Sequence, residues 1–407
     1  MNRITLLDGL RGFFVVFMLM NHLTFSGGYF LGWLNYAHLS FVQSAQGFIL
    51  VSGLLVGLVY MKVYDRSGPD QARRRLWRRA AQLYGWHIGV LLAIVLLSRL
   101  VPGSWNAWGP WLDRLYGNGV GPAVATATLL YQPMYMDILP QYIVYLLVSP
   151  AVLWLIATGR TWLVAALSIS AWLLVQLGVH LPLVESADAA YAAGYSEIAL
   201  HAHFNPLGWQ VLFMAGVVAG ALMARGEFDP ERLVSPDRTD LLRISLFVLG
   251  FFLCWRMAFH LDLVQGAVFD RFVVMERRGE FGPVYLLSSL AAGYALLWLF
   301  VAGPRSAHER TRRIAEGCRA FLGHPFLMLL GRNALPVYAF HVFVVYVLKL
   351  VDTKYGPFGD PWSSLLGLGA IAILALPALL IEWLNRRPDR ATGGSATPVP
   401  VPASRRR

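Results

Sequence analysis

Arg11 and His22 stand in the first apolar segment of the chain, MNRITLLDGLRGFFVVFMLMNHL, with ten residues between them. A charged or titratable side chain costs free energy in a bilayer, and one found there usually faces a protein interior or a watery cavity. A guanidinium binds anions through a planar fork of donors, and a neutral imidazole can take up a proton. On one helix, eleven steps of 1.5 Å separate the two by roughly 16 Å. That is about half of a hydrocarbon core of roughly 30 Å. The pattern recurs in LGRNALPVYAFHVF, where His341 follows Arg332 by nine positions. If both segments cross in the same direction, their histidines reach similar depths above their arginines. The chemistry this implies is a phosphate-binding entrance below a proton-accepting centre. The alternative is helix packing, with each imidazole bonded to a backbone carbonyl.

These residues need helices to position them. Of 407 residues, 57% are hydrophobic and 14% charged, with a mean hydropathy of +0.53. Such a chain must meet lipid. The apolar runs predict ten spans, at 10–29, 41–61, 83–101, 138–157, 161–180, 207–224, 241–261, 283–303, 325–348 and 363–385. None alternates as the strands of a membrane barrel do. The loops on one side carry 23 Lys and Arg residues and those on the other carry 6. By the positive-inside rule, both termini are cytoplasmic. The net charge of +11 follows from this asymmetry and does not point to nucleic acid. We expect an all-α polytopic bundle, with one membrane domain over 1–385. The tail 386–407, rich in Pro, Gly, Ser and Ala and ending in arginines, reads as a disordered basic cytoplasmic segment. The first segment reads as a retained helix, because it carries Arg11 and His22 and no small-residue cleavage site follows it. Cys254 and Cys318 fall at different levels, which argues against a disulfide. The run QARRRLWRRA before the third span resembles a basic amphipathic surface helix, serving topology, lipid binding or a phosphate-bearing substrate. The outer stretch VPGSWNAWGPW reads as interfacial aromatics or a sugar-stacking surface.

At these residues the chain resembles a family. DGLRG with Arg11 and His22 looks like the opening helix of the acyltransferase-three membrane superfamily. GFILVSG, with Phe48, Ser52 and Gly53, resembles its second-helix signature, and LGRNALPVYAFH resembles its late helix. YMDILPQYIVYLLVSP (135–150) and FNPLGWQVLFMAGVVAG (204–220) narrow the resemblance to OpgC proteins, over residues 3 to 385. The resemblance implies transfer of succinyl groups from cytoplasmic succinyl-CoA to osmoregulated periplasmic glucans, by a multi-pass protein of the bacterial inner membrane. No tightly bound cofactor and no metal is expected; acyl-CoA is a co-substrate, and the partners are the glucan and membrane lipids.

A polyanionic acyl-CoA cannot cross the bilayer, so the enzyme must join the compartments through its own interior. Arg11 and Arg332 are the expected phosphate ligands. His22 is the expected general base on a sugar hydroxyl, and His341 orients the acceptor or stabilises the oxyanion. Ser52 is either a donor-side relay nucleophile or a packing residue beside Gly53. Asp137, before the fourth span, is a helix cap, a glucan ligand or a histidine partner. In HAHFNPLGWQ, Asn205, Trp209 and Gln210 are candidate acceptor ligands, and His201 and His203 lack the further ligands a zinc site needs. Arg256 is a candidate clamp for the distal succinyl carboxylate or half of an ion pair. Arg271, Arg277 and Arg278 either pair locally with Asp270, Glu276 and Glu280 or meet an anionic substrate. Two other readings remain open at this level: an acetyltransferase of another envelope polysaccharide, and a transporter using its Arg/His pairs for an anion or protons. No pair of broken helices in an inverted repeat supports the transporter.

Overall fold

The computed structural model describes residues 3–112, 115, 120–195 and 204–385, and among them every regular element is a helix. A helix satisfies its backbone N–H and C=O groups within one segment, which is what hydrocarbon demands. The order opens with α1 (Arg3–His22), a short α2 (Phe30–Trp33), α3 (Ser44–Ser67) and α4 (Pro69–Leu100). Then come α5 (Ser104–Leu112), α6 (Val120–Ala127), α7 (Ile138–Ala157), α8 (Thr161–Gln176) and α9 (Leu181–Tyr195). The second half holds α10 (Pro206–Arg225), α11 (Pro230–Leu233), α12 (Asp240–His260), α13 (Ala267–Glu276) and α14 (Pro283–Val301). It ends with α15 (Glu309–Leu322), α16 (Pro325–Arg332), α17 (Ala334–Tyr355), α18 (Asp360–Ile373) and α19 (Ala375–Asn385).

Among the described residues, eight helices are long and apolar enough to cross a membrane, with α18 and α19 counted as one. A ninth forms if α8 and the start of α9, bent by 73° at their junction, make one span. The tenth expected span corresponds to α1, which falls outside that set. Two expectations change. The basic run QARRRLWRRA is no separate surface helix. It is the first third of α4, one unbroken helix of 32 residues that is about 48 Å long at 1.5 Å per residue. The span expected over 325–348 is broken between Arg332 and Ala334. Asn333 sits at the break and donates from Nδ2 to the Leu329 carbonyl (3.1 Å) and toward Glu382 (3.5 Å). Pro336 follows within the first turn of α17, where its missing N–H is harmless but the preceding helix cannot continue. Arg332 and His341 therefore belong to different helices. The tail 386–407 lies outside the described residues.

Glycines set the two tightest helix crossings. A Cβ on Gly57 would lie 2.1 Å from the Val217 carbonyl oxygen, and one on Gly220 2.1 Å from that of Leu54. So α3 and α10 touch backbone to backbone, as small residues allow in membranes. In the same way Gly12 abuts the Leu327 carbonyl and Gly331 the Asp8 carbonyl, joining α1 to α16. Gly57→Ala should lower stability by about 1–3 kcal/mol, the usual range for overpacking. Gly85→Ala, in open space on α4, should be neutral or raise it by up to about 1 kcal/mol through helix propensity. Thermal unfolding in detergent compares the two, and equal effects would contradict the close crossing.

Candidate active site

The site is built on α1. Its Gly9 and Gly12 face the backbone of α15 and α16, which leaves Arg11 to point toward α3, α4 and α7. There Arg11 lines a cavity of about 500 Å³ together with Arg75, Arg78 and Arg79 of α4. Asp8, Ser52, Tyr60, Gln82 and Tyr142 complete its polar lining. Arg11 also lies over the Phe48 ring at 6.0 Å, and its buried Nε has no hydrogen-bond partner. Three of these four arginines come from the basic run in α4. Arg332 is absent from the lining: it is exposed at the end of α16, and its Nε donates to the Met328 carbonyl at 3.2 Å. The arginines that share the lining with Arg11 are thus Arg75, Arg78 and Arg79, and not Arg332 as the repeated pattern suggests. Ser52 lines this cavity, and among the described residues it makes no hydrogen bond to a histidine that could activate it.

At the far end of α1, His22 meets His341 of α17. Their rings stack with centroids 5.3 Å apart, and His22 Nδ1 lies 3.2 Å from His341 Nε2. His341 is fully buried, and its Nδ1 faces the Tyr338 carbonyl oxygen. A carbonyl only accepts, so His341 Nδ1 carries hydrogen and its Nε2 holds a lone pair. His22 Nδ1 must then donate to that lone pair. The chain of bonds leaves His22 Nε2 as an acceptor without a partner among the described residues. It is the arrangement by which a third group fixes the tautomer of a general base. The expectation that each histidine bonds a carbonyl holds only for His341, which therefore acts on His22 and leaves no ring nitrogen for an acceptor or oxyanion.

Aromatic rings fill the space around the pair. Tyr338 packs edge-on against His341 (4.6 Å) and stacks on Phe48 (5.8 Å), so a column of rings runs from Arg11 to the histidines. Tyr135 covers His22 at 4.4 Å. Its φ of 67° lies in the left-handed region, which a side chain of this size occupies only when the surroundings impose it. Trp111 packs on Tyr135 at 5.1 Å, its carbonyl accepts from the Met134 N–H, and the Tyr346 hydroxyl donates to the Met134 carbonyl. Trp108 is fully buried and donates to the Tyr346 carbonyl. The stretch VPGSWNAWGPW therefore supports the histidine pocket with Trp108 and Trp111; of its three tryptophans only Trp105 is exposed. Arg75, Arg78 and Arg79 lie in the run QARRRLWRRA, for which a phosphate-bearing substrate is one of the expected roles, and Tyr338 lies in the motif LGRNALPVYAFH. Tyr135 was visible only as the residue two before Asp137.

Asp137 occupies the cap position of α7, yet its side chain makes no capping bond, and neither histidine bonds it. Burial pushes its carboxyl up to about 6, with backbone N–H groups and the Arg278 guanidinium pulling the other way. A folded value above the usual 3.8 means that the fold holds the proton more tightly than the unfolded chain does. The associated stability is complete below pH 3.8 and is lost as pH rises through 6. Asp137→Asn should therefore gain about 3 kcal/mol relative to wild type between pH 4 and pH 7, two pKa units at 1.36 kcal/mol each. Paired melts across that range test this, and a pH-independent difference would contradict it.

The remaining candidates hold the protein together. Asn205 caps α10 by accepting from the Leu207 N–H at 2.9 Å. Trp209 is fully buried, and Gln210 is buried against Ser168, accepting from its hydroxyl at 2.7 Å and donating to its carbonyl at 2.7 Å. None of the three lines the Arg11 cavity. Trp209 instead donates to the Arg278 carbonyl at 3.1 Å, within the turn Arg277–Phe281. The next three carbonyls of that turn are also taken. That of Gly279 accepts the Asn205 N–H (2.7 Å), that of Glu280 accepts Gln176 Nε2 (2.9 Å), and that of Phe281 accepts Trp172 Nε1 (2.8 Å). Arg256 is not free to clamp a carboxylate: it pairs with Glu276 at 2.8 Å and lies over Phe41. Arg277 pairs with Glu280 at 2.7 Å. His201 and His203 lie outside the described residues.

Fold and site together define an all-helical, multi-pass membrane protein whose first helix carries a basic cavity at one end and a histidine pair at the other. The family described as OpgC protein matches residues 3–386, nearly the whole chain. The chain belongs to that family, and with it to the glucan-modifying acyltransferases. No curated protein and no solved structure matches the chain.

Proposed function

We propose that the protein transfers a succinyl group from cytoplasmic succinyl-CoA to a hydroxyl of a periplasmic glucan, in the bacterial inner membrane and as a member of the acyltransferase-three superfamily. The observation that carries this reading is the bond chain from the Tyr338 carbonyl through His341 to His22, on the helix that also bears Arg11. Arg11, Arg75, Arg78 and Arg79 offer the charge-assisted forks that CoA phosphates require. Both termini and these arginines then face the cytoplasm, as the basic loops predict. The thioester arm extends from this cavity along the ring column toward His22.

There, His22 Nε2 takes the proton of a sugar hydroxyl while the oxygen attacks the thioester carbonyl. The resulting imidazolium stays bonded to His341 Nε2, which holds its orientation. Collapse of the tetrahedral adduct breaks the C–S bond, and the departing thiolate recovers the proton from His22. Transfer is direct in this reading, since neither His22 nor His341 bonds the Ser52 hydroxyl. Incubating the purified protein with succinyl-CoA and a neutral glucan, followed by mass spectrometry of the glucan, tests the reading. A mass gain of one succinyl group per transfer is expected, and an unmodified glucan with unconsumed succinyl-CoA would overturn it.

A further inference from the structure

The turn Arg277–Phe281 spends more bonds on its position than its length needs. Its last four carbonyls are each taken by a donor from α8 or from the start of α10. Within the turn, the N–H groups of Glu280 and Gly282 return to the Arg277 carbonyl and that of Phe281 to the Arg278 carbonyl. Such bracing fixes whatever side chain the turn presents. Its neighbours are spoken for: Arg277 by Glu280, and Glu276 by Arg256. Arg278 is different. It is exposed, its guanidinium rests on the buried Phe204 ring at 5.2 Å, and no described carboxylate lies within ion-pair distance of it. It stands within electrostatic reach of His22, Tyr135 and Asp137. An aromatic seat holds one face of a guanidinium and leaves its five N–H donors for a planar anion.

We propose that Arg278 is a specificity residue of the outer site, binding a carboxylate that a substrate presents beside His22. This rests on the acyl-transfer reading above. The carboxylate has two possible carriers: the acyl group in transit, if it ends in a second carboxyl, or an acceptor glucan that already bears anionic groups. The chemistry is the same for both, a bidentate guanidinium–carboxylate pair. Arg278 makes no bond change in the reaction. It sets which substrate is held with its reacting atom at His22.

The test uses the full-length purified protein and the variants Arg278→Gln and Arg278→Lys. One arm compares succinyl-CoA with butyryl-CoA, a neutral donor of equal carbon number, on a neutral glucan. The other compares neutral with carboxylated glucan, using butyryl-CoA. In one arm, Arg278→Gln should lower the preference for the anionic substrate on the order of 10- to 100-fold, the loss expected for a charge-assisted pair. The neutral substrate should keep near-normal turnover, and Arg278→Lys should retain part of the preference. The donor arm responding assigns the carboxylate to the acyl group, and the acceptor arm responding assigns it to the glucan. Unchanged preference in both arms, or an equal fall for charged and neutral substrates, overturns the proposal while leaving acyl transfer intact. A wild-type protein that consumes no acyl-CoA overturns the acyl-transfer reading and this proposal with it. Because the turn is held by its backbone, both variants should melt with wild type.

Discussion

His22→Ala should lower acyl transfer by a factor of about 100 to 10,000, the usual worth of a general base, while the protein still reaches the membrane and melts normally. The reason lies in the bond chain. His341 spends its Nδ1 on the Tyr338 carbonyl and its Nε2 on His22, so only His22 has a nitrogen free for substrate. His341→Ala should produce a smaller loss, accompanied by a changed pH–rate profile. Without its partner, His22 can carry its proton on either nitrogen, and only part of the population presents Nε2 as an acceptor. Rates for both variants over pH 5 to 9, on protein shown to be folded, decide the assignment. Near-wild-type turnover by folded His22→Ala would remove the imidazole from the chemistry. A His341→Ala loss equal to that of His22→Ala, with an unchanged profile, would mean that the two act as one packing unit.

Arg11→Ala should weaken acyl-CoA binding by about 1.5–3 kcal/mol, the cost of losing a charge-assisted bond, or roughly 10- to 100-fold in affinity at 1.4 kcal/mol per decade. Acceptor binding should change little. Arg11 is the one member of the basic cavity that comes from the histidine helix, and its buried Nε lacks a partner that a phosphate oxygen would supply. Arg78→Ala and Arg79→Ala should act in the same direction. Arg332→Ala should change donor affinity less, since its side chain is exposed at the end of α16 and is not part of the cavity lining. Calorimetry with CoA on all four variants separates these outcomes. An Arg332→Ala loss matching that of Arg11→Ala would restore the pairing suggested by the repeated sequence pattern.

What the sequence made legible was local. Arg11 and His22 share one helix, so their separation follows from helix rise alone. The similar depth of His22 and His341 follows from two segments running the same way, and the structure brings their rings into contact. What stayed hidden depends on partners far along the chain. Arg332 reads as part of the same helix as His341 because LGRNALP is one apolar run. The break appears when Asn333 turns back on Leu329 and toward Glu382, 49 residues on. Arg256 looks like an unpaired intramembrane cation until Glu276, on the following helix, is placed against it. Asn205 and Trp209 look like sugar ligands because polar and aromatic residues cluster there. Their actual role, bracing a turn some seventy residues later, has no one-dimensional signature. The basic run of α4 was legible as charge that a phosphate could meet, but not as a wall of the Arg11 cavity, since it continues into the span as one unbroken helix.

The glycine contacts of α1 have a further effect. With Gly12 against the Leu327 carbonyl and the Asp8 carbonyl against Gly331, the first helix cannot slide along its neighbour without a backbone collision. The interval between its anion end and its imidazole end is then set by helix rise, at roughly 16 Å. The helix becomes a ruler. A donor reacts only if its anchoring phosphates and its acyl carbon are about that far apart, and a long flexible arm meets that demand. An acyl phosphate, whose carbonyl adjoins its anion, would settle among the arginines with its reactive carbon at the wrong end of the scale. Such a compound should compete with acyl-CoA and yet donate nothing.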